Sequence, residues 1–255
     1  MLFRSGAVTE RVLRWADCLN VRDLGGHATE DGGETRFGAV VRADSVASLT
    51  DEGWQQALDY GVRTVIDLRM QAERDADPPR ELPIEALHLP AFGDWDDSIE
   101  AEIDAVSAAE KDTPSKTAAV YLEFLERFRP NFARAVSAVA NAPDGAVIVH
   151  CQGGKDRTGL VAAILLRLAE VGIDAIAEDY ALSGVHLAPR LEKWLAGAAD
   201  EEERERIRQI SATPAPSMQR VLAELERRYG SVAAYLEAGG ASPEDVDRAR
   251  SRLRG

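Results

Sequence analysis

Cysteine is almost missing from this chain: Cys18 and Cys151 are the only two in 255 residues. A disulfide framework is therefore excluded, stability must come from a hydrophobic core, and the count suits a reducing compartment. No apolar run approaches the roughly twenty residues that span a bilayer, and the residues after Met1 lack the basic-then-apolar order of a secretion signal. A cytoplasmic protein without integral membrane association is the expectation, with export by an unconventional route left open. Positive charge is scarce as well, since 44 acidic residues face 30 basic ones for a net charge of −14. Such a chain is a poor partner for nucleic acid or an anionic membrane surface. Lysine is rarer still, with only Lys111, Lys116, Lys155 and Lys193. His27, His88, His150 and His186 are scattered, and no acidic cluster has ligand spacing, so neither metal nor cofactor is expected. The length fits one large α/β domain, residues 1–255, better than two small ones.

What the chain does have is concentrated in residues 147–159, Val-Ile-Val-His-Cys-Gln-Gly-Gly-Lys-Asp-Arg-Thr-Gly. The β-branched run 147–149 reads as a buried strand and the apolar run 160–168 as a helix, so the segment between them must turn sharply. Gly153 and Gly154 permit that turn and let backbone N–H groups converge ahead of the helix N-terminus, where an anion is favoured. Cys151 opens the loop. The same dipoles, with Lys155 and Arg157 nearby, favour its thiolate. Arg157 offers a planar fork matched to two phosphate oxygens. A nucleophile beside a phosphate cradle implies thiolate attack on a phosphomonoester, giving a cysteinyl-phosphate that water hydrolyses.

His150-Cys151, five intervening residues, then Arg157-Thr158-Gly159 resembles the signature of the protein tyrosine phosphatase superfamily. The version containing Gly154-Lys155-Asp156-Arg157 is similar to its bacterial branch of tyrosine and phosphoinositide phosphatases, including the secreted mycobacterial type. Asn20-Val21-Arg22-Asp23-Leu24-Gly25-Gly26 is similar to that branch's amino-terminal motif, Val65-Ile66-Asp67-Leu68-Arg69 with Glu73 to its second strand, and Asp179-Tyr180-Ala181-Leu182-Ser183 to the helix after the loop. Tyr229-Gly230-Ser231 and Tyr235-Leu236 resemble its carboxy-terminal segment, so the likeness spans about residues 18–254. It implies a central mostly parallel sheet flanked by helices, a helical carboxy-terminal third, and hydrolysis of phosphotyrosine, with phosphoserine, phosphothreonine and phosphoinositides as further substrates. In this reading Cys151 is the nucleophile, Arg157 binds phosphate with the loop residues Gln152, Gly153, Gly154 and Lys155, and Asp156 is the general acid and base. Lys155 adds charge for this phosphate or a neighbouring one. His150 orients the loop, Thr158 hydrogen-bonds the departing thiolate, and Asp67 either supports the site or braces a loop. A phosphorylated protein or phosphoinositide is the expected partner; the sequence sets no oligomeric state.

Rival readings fit less well. A buried structural cysteine would not need the basic, glycine-rich residues after it. A nucleotide-binding loop would require glycine at Val149 and a hydroxyl at Asp156, and a rhodanese-like loop is shorter. A phosphoresidue-binding module that has lost turnover would not need nucleophile, arginine and acid together.

The rest of the chain reads as scaffold. Residues 20–42 suggest a hairpin across Asp31-Gly32-Gly33; Arg22 and Asp23 form an ion pair that braces the first turn or else, as the resemblance implies, lie near the phosphate loop. Thr50 starts a helix and Gly61 stops it. Residues 62–68 and 84–90 read as strands. The stretch 91–97 holds Asp94, Trp95, Asp96 and Asp97 but departs from Trp-Pro-Asp, and it reads as a solvated loop. Residues 117–140 carry an aromatic stripe that is core, broken at Pro130. Helices follow the loop, including a charged one at 200–208, a helix 218–229 after Pro214 and Pro216, and a last one starting at Ser242-Pro243.

Overall fold

The computed structural model describes residues 10–93 and 95–254. Its central strand is β5 (Ala146–His150), buried at every position. So apolar a strand needs cover on both faces and pairing on both edges. β2 (Val40–Ala43) and β3 (Val62–Asp67) flank it, both parallel to it, with His150 opposite Ala43 and Asp67. β4 (Glu85–His88) continues the parallel pairing beyond β3. β1 (Arg22–Asp23) runs antiparallel to β2, giving the order β1-β2-β5-β3-β4. This is the α/β, mostly parallel sheet that the sequence implies. The carboxy ends of β2, β3 and β5 meet at one side, where open α/β sheets place their ligands.

Strand alternation divides the core in two. Val147 and Val149 face one layer with Val40 and Ile66, whereas Ala146 and Ile148 face the other with Val41 and Val65. The larger layer is helical, built from α4 (Thr113–Arg127), α5 (Arg129–Asn141), α6 (Arg157–Leu168), α7 (Ile173–His186), α10 (Ala215–Tyr229), α11 (Val232–Ala238) and α12 (Pro243–Arg254). In α6 every residue but Arg167 is buried, as its apolar sequence demands. The smaller layer packs Trp15 with Trp54 and Ala57 of α1 (Asp51–Tyr60). Short α2 (Gln71–Ala76) follows β3, and α3 (Asp97–Ala108) precedes α4. Two further helices, α8 (Ala188–Gly197) and α9 (Glu201–Ser211), are peripheral, with only Ile207 buried between them.

Local signals place most boundaries. The Thr50 hydroxyl accepts from the Gly53 N–H at 3.2 Å, and Gly61 ends α1 at φ 104°. Pro130 lies in the first turn of α5 and separates it from α4 at Phe128. The hairpin 20–42 forms, bridged at Ala28 and Glu34. The expected Arg22–Asp23 ion pair does not, because successive strand side chains point to opposite faces. Asp23 turns to the Tyr60 hydroxyl and the amides of Gly25 and Gly38, whereas Arg22 turns to Asp179 on α7. Among the described residues, no helix is long and apolar enough to cross a membrane.

Candidate active site

The loop between β5 and α6 is held from behind by its carbonyls. The Gln152 carbonyl accepts from the Ser45 amide at 3.2 Å and Arg190 Nη1 at 3.1 Å. Asn20 Nδ2 donates to the Gly153 and Gly154 carbonyls, each at 3.1 Å, and Arg42 Nη2 donates to Gly154 at 2.8 Å. In a trans peptide the following N–H points opposite to the carbonyl. The amides of Gly153, Gly154 and Lys155 therefore face away from the scaffold, and among the described residues the N–H groups of 152–156 meet no protein acceptor. Unpaired donors gathered at a helix N-terminus are an anion site. Only Gly154 needs to be glycine for this, with φ 62° and a would-be Cβ 2.5 Å from the Ala43 carbonyl. Gly153 does not, since a Cβ there would meet nothing closer than 3.8 Å.

Cys151 begins the loop, buried at the end of β5. Arg157, the first residue of α6, lays its guanidinium over the Phe92 ring, 5.4 Å from the centroid. Both of its Nη atoms donate to the Glu73 carboxylate, Nη2 at 2.7 Å. Burial works against the Arg157 charge, but the bonds to Glu73 and the proximity of Cys151 outweigh it and hold the guanidinium above its ordinary value. Burial likewise opposes Glu73, which Arg157 keeps below the usual carboxyl range. The remaining N–H donors of the fork stay available to an anion in the loop.

A cleft of about 460 Å³ opens over Cys151, Gln152 and Gly153, walled by Leu187, Leu191, Trp194 and Ile210. A second of about 350 Å³ is walled by Phe92, Val120, Tyr121 and Phe124. Both reach Lys155, Asp156 and Arg157. A model of the tyrosine phosphatase family matches residues 13–255.

The chain belongs to the tyrosine phosphatase family.

A tyrosine-protein phosphatase of Nostoc commune is 29% identical over 84% of this chain and 74% of its own length. The triple specificity protein phosphatase PtpB of Mycobacterium tuberculosis is 28% identical over 92% of this chain and 96% of its own. Within this family member the acids that the sequence offered are sorted by what holds them. Asp67 is locked: it accepts from the Arg69 amide at 2.9 Å, Nε at 3.0 Å and Nη2 at 2.9 Å. It therefore braces the strand end. His150 Nε2 lies 3.7 Å from it, yet burial pushes His150 down to about 4 despite the Asp67 charge, so the pair is not an ion pair at neutral pH. Asp96 caps α3 by accepting from the amides of Ser98 and Ile99, Asp97 is exposed in that helix's first turn, and Asp94 lies outside the described residues. Asp156 is different. It occupies the N-cap of α6 without capping it, and its side chain is 43% exposed to the clefts. Its Oδ1 accepts from the Tyr121 hydroxyl and lies 3.2 Å from Lys155 Nζ. Lys155 also donates to the Ile210 carbonyl at the end of α9, so its charge is anchored at the meeting of the two clefts. The Thr158 hydroxyl is buried and, among the described residues, meets no hydrogen-bond partner.

Several residues of the site are not identifiable from their own neighbourhood. Asn20 and Glu73 stand in motifs that resemble the family without indicating a role, Arg42 reads as strand, Arg190 carries no signal, and Tyr121 is one position of an aromatic core stripe. Tyr121 is indeed core, at 3% exposure, but its hydroxyl ends on Asp156.

Proposed function

We propose that this chain hydrolyses phosphomonoesters, phosphotyrosine first, through a phosphocysteine and without a metal. The observation that carries this reading is the loop whose Gln152, Gly153 and Gly154 carbonyls are taken from behind while its amides, with Arg157, face the cleft above Cys151. Cys151 Sγ attacks phosphorus, the S–P bond forms and the P–O bond breaks, and Asp156 gives its proton to the leaving oxygen. Water then attacks the phosphocysteine, passing a proton to Asp156, and the S–P bond breaks with the electron pair returning to sulfur. The loop amides from Gln152 to Lys155 and the Arg157 fork hold the equatorial oxygens in both steps. The buried Thr158 hydroxyl, unpaired among the described residues, is the donor for the departing thiolate.

Turnover of para-nitrophenyl phosphate in EDTA separates an enzyme from a binding module. Asp156→Asn tests the acid. A general acid contributes about 10²–10⁴-fold, and mostly where the leaving oxygen is basic, so alkyl phosphates should lose about a hundredfold or more and para-nitrophenyl phosphate less than about tenfold. The matching limb of the pH profile should vanish. Equal losses on both substrates with an unchanged profile would remove Asp156 from the chemistry.

The triple specificity named for the mycobacterial relative favours more than one substrate class, and we extend the reading to phosphoserine, phosphothreonine and phosphoinositides. Lys155, nearly buried where the two clefts meet, would take a second phosphate on an inositol ring. A charge-assisted hydrogen bond contributes about 1.5–3 kcal/mol, so Lys155→Met should weaken soluble polyphosphorylated inositol lipids about tenfold or more beyond its effect on a phosphotyrosine peptide. Short-chain lipids suit the measurement, since a net charge of −14 offers a bilayer no attraction. No hydrolysis of inositol phosphates, or equal weakening of both classes, would contract the function to phosphoprotein.

A further inference from the structure

Phe124, Phe128 and Phe132 fill the aromatic stripe of α4 and α5, yet position 121, buried with them, carries a tyrosine. A buried hydroxyl costs about 1–3 kcal/mol unless it is bonded, so the extra oxygen must have a use. It lies between two partners, the Asp156 carboxylate on one side and the Tyr180 hydroxyl at 2.9 Å on the other. Tyr180, on α7, is 1% exposed and meets the Tyr121 ring edge-on. The direction of the chain is fixed. An ionised carboxylate can only accept, so Tyr121 spends its one proton on Asp156, and Tyr180 must donate to Tyr121. Burial first, and then the Asp156 charge, push both phenols well above their ordinary value, so both protons stay in place across the working range.

From this arrangement we infer that the Tyr180–Tyr121 chain is a positioning device for Asp156, fixing which carboxylate oxygen carries the catalytic proton. The inference rests on the reading of Asp156 as the general acid. Oδ1 holds Tyr121 and Lys155, which leaves Oδ2 as the oxygen that gives its proton to the leaving group and takes one from water. Protonation at Oδ2 leaves Oδ1 still an acceptor, so the Tyr121 hydrogen bond and the Lys155 contact hold the side chain in both steps. Without them, an N-cap side chain that makes no capping bond and is 43% exposed has several rotamers open to it. Misplacement of an acid is felt where protonation of the leaving oxygen limits the rate.

The test is kcat/KM for wild type, Tyr121→Phe, Tyr180→Phe, Asp156→Asn and the Tyr121→Phe/Asp156→Asn pair on aryl phosphates ranging from good to poor leaving groups. Inhibition by inorganic phosphate and the melting temperature are measured beside it. Tyr121→Phe keeps the ring and should lose about 10–100-fold on the poorest leaving group but less than about threefold on the best, with phosphate inhibition unchanged. Tyr180→Phe should move the same dependence in the same direction by less. The double variant should fall no further than Asp156→Asn, since both changes remove one function. A leaving-group dependence in Asp156→Asn with none in Tyr121→Phe would overturn the positioning role and leave the acid assignment standing. No dependence in Asp156→Asn itself would place the failure in that assignment and take the inference down with it. A uniform loss in Tyr121→Phe across all leaving groups, accompanied by a lower melting temperature, would make the tyrosine pair a packing feature and overturn the inference.

Discussion

Cys151→Ser should leave no measurable phosphatase turnover while phosphate still binds. A serine hydroxyl is an effective nucleophile only beside a base. The adjacent His150 cannot serve as one, because it turns Nδ1 to the Cys151 carbonyl at 3.3 Å and Nε2 towards Asp67. The anion site does not depend on the sulfur. Its amides are aimed by Asn20, Arg42 and Arg190 and its guanidinium by Glu73, none of which touches the Cys151 side chain in doing so. Inhibition by inorganic phosphate measured as binding to the variant should therefore stay within about threefold of wild type, or under about 1 kcal/mol. Acid-quenched wild type should carry phosphate on Cys151, and the variant none. Residual turnover above about a hundredth of wild type would exclude covalent catalysis by this residue, since loss of a nucleophile removes far more.

The parts of the site that could be read in the sequence are those in which chemistry and spacing are contiguous. Residues 147–159 contain strand, turn, cysteine, aspartate, arginine and helix start in one run, and β5 and α6 lie where that run places them. The parts that could not be read arrive from a distance. Glu73 reaches Arg157 across 84 positions, and Asn20 reaches Gly154 across 134. No local pattern records such meetings, because only the folded sheet brings the ends of β2, β3 and β5 together. Tyr121 shows a further limit. Helical periodicity identifies a buried face but is blind to one hydroxyl on that face, so a residue that belongs to the core and touches Asp156 reads only as core. The helix α3 is not legible for the opposite reason, as only Ile103 of its residues is buried and its start depends on the Asp96 cap.

The Arg22–Asp179–Arg42 cluster joins stability to the site. Asp179→Asn should cost about 3–5 kcal/mol, the usual result of leaving buried charge without its partner. Arg22 and Arg42 are 0% and 1% exposed; Arg22 Nε lies 3.1 Å from one carboxylate oxygen and Arg42 Nη1 2.7 Å from the other. Asparagine keeps the shape and removes the charge, so the two guanidiniums would face each other uncompensated. Burial alone would raise the Asp179 carboxyl, but Arg42 and Arg22 outweigh it and hold the group well below the ordinary carboxyl range. Arg22 is driven the other way, down to about 10, by burial and then by Arg42. A depressed carboxyl stabilises fully above its unfolded value, about 4, and that contribution is lost as pH falls from there towards the folded value. Urea midpoints should thus differ most between wild type and variant near neutral pH and converge under acid. The same substitution should reach the loop. Arg42 spans Asp179 and the Gly154 carbonyl, so releasing one end loosens the other, and phosphate inhibition should weaken about tenfold in variant that is still folded. A stability loss under about 1 kcal/mol, or an unchanged inhibition constant, would show that the loop keeps its shape without this buried anchor.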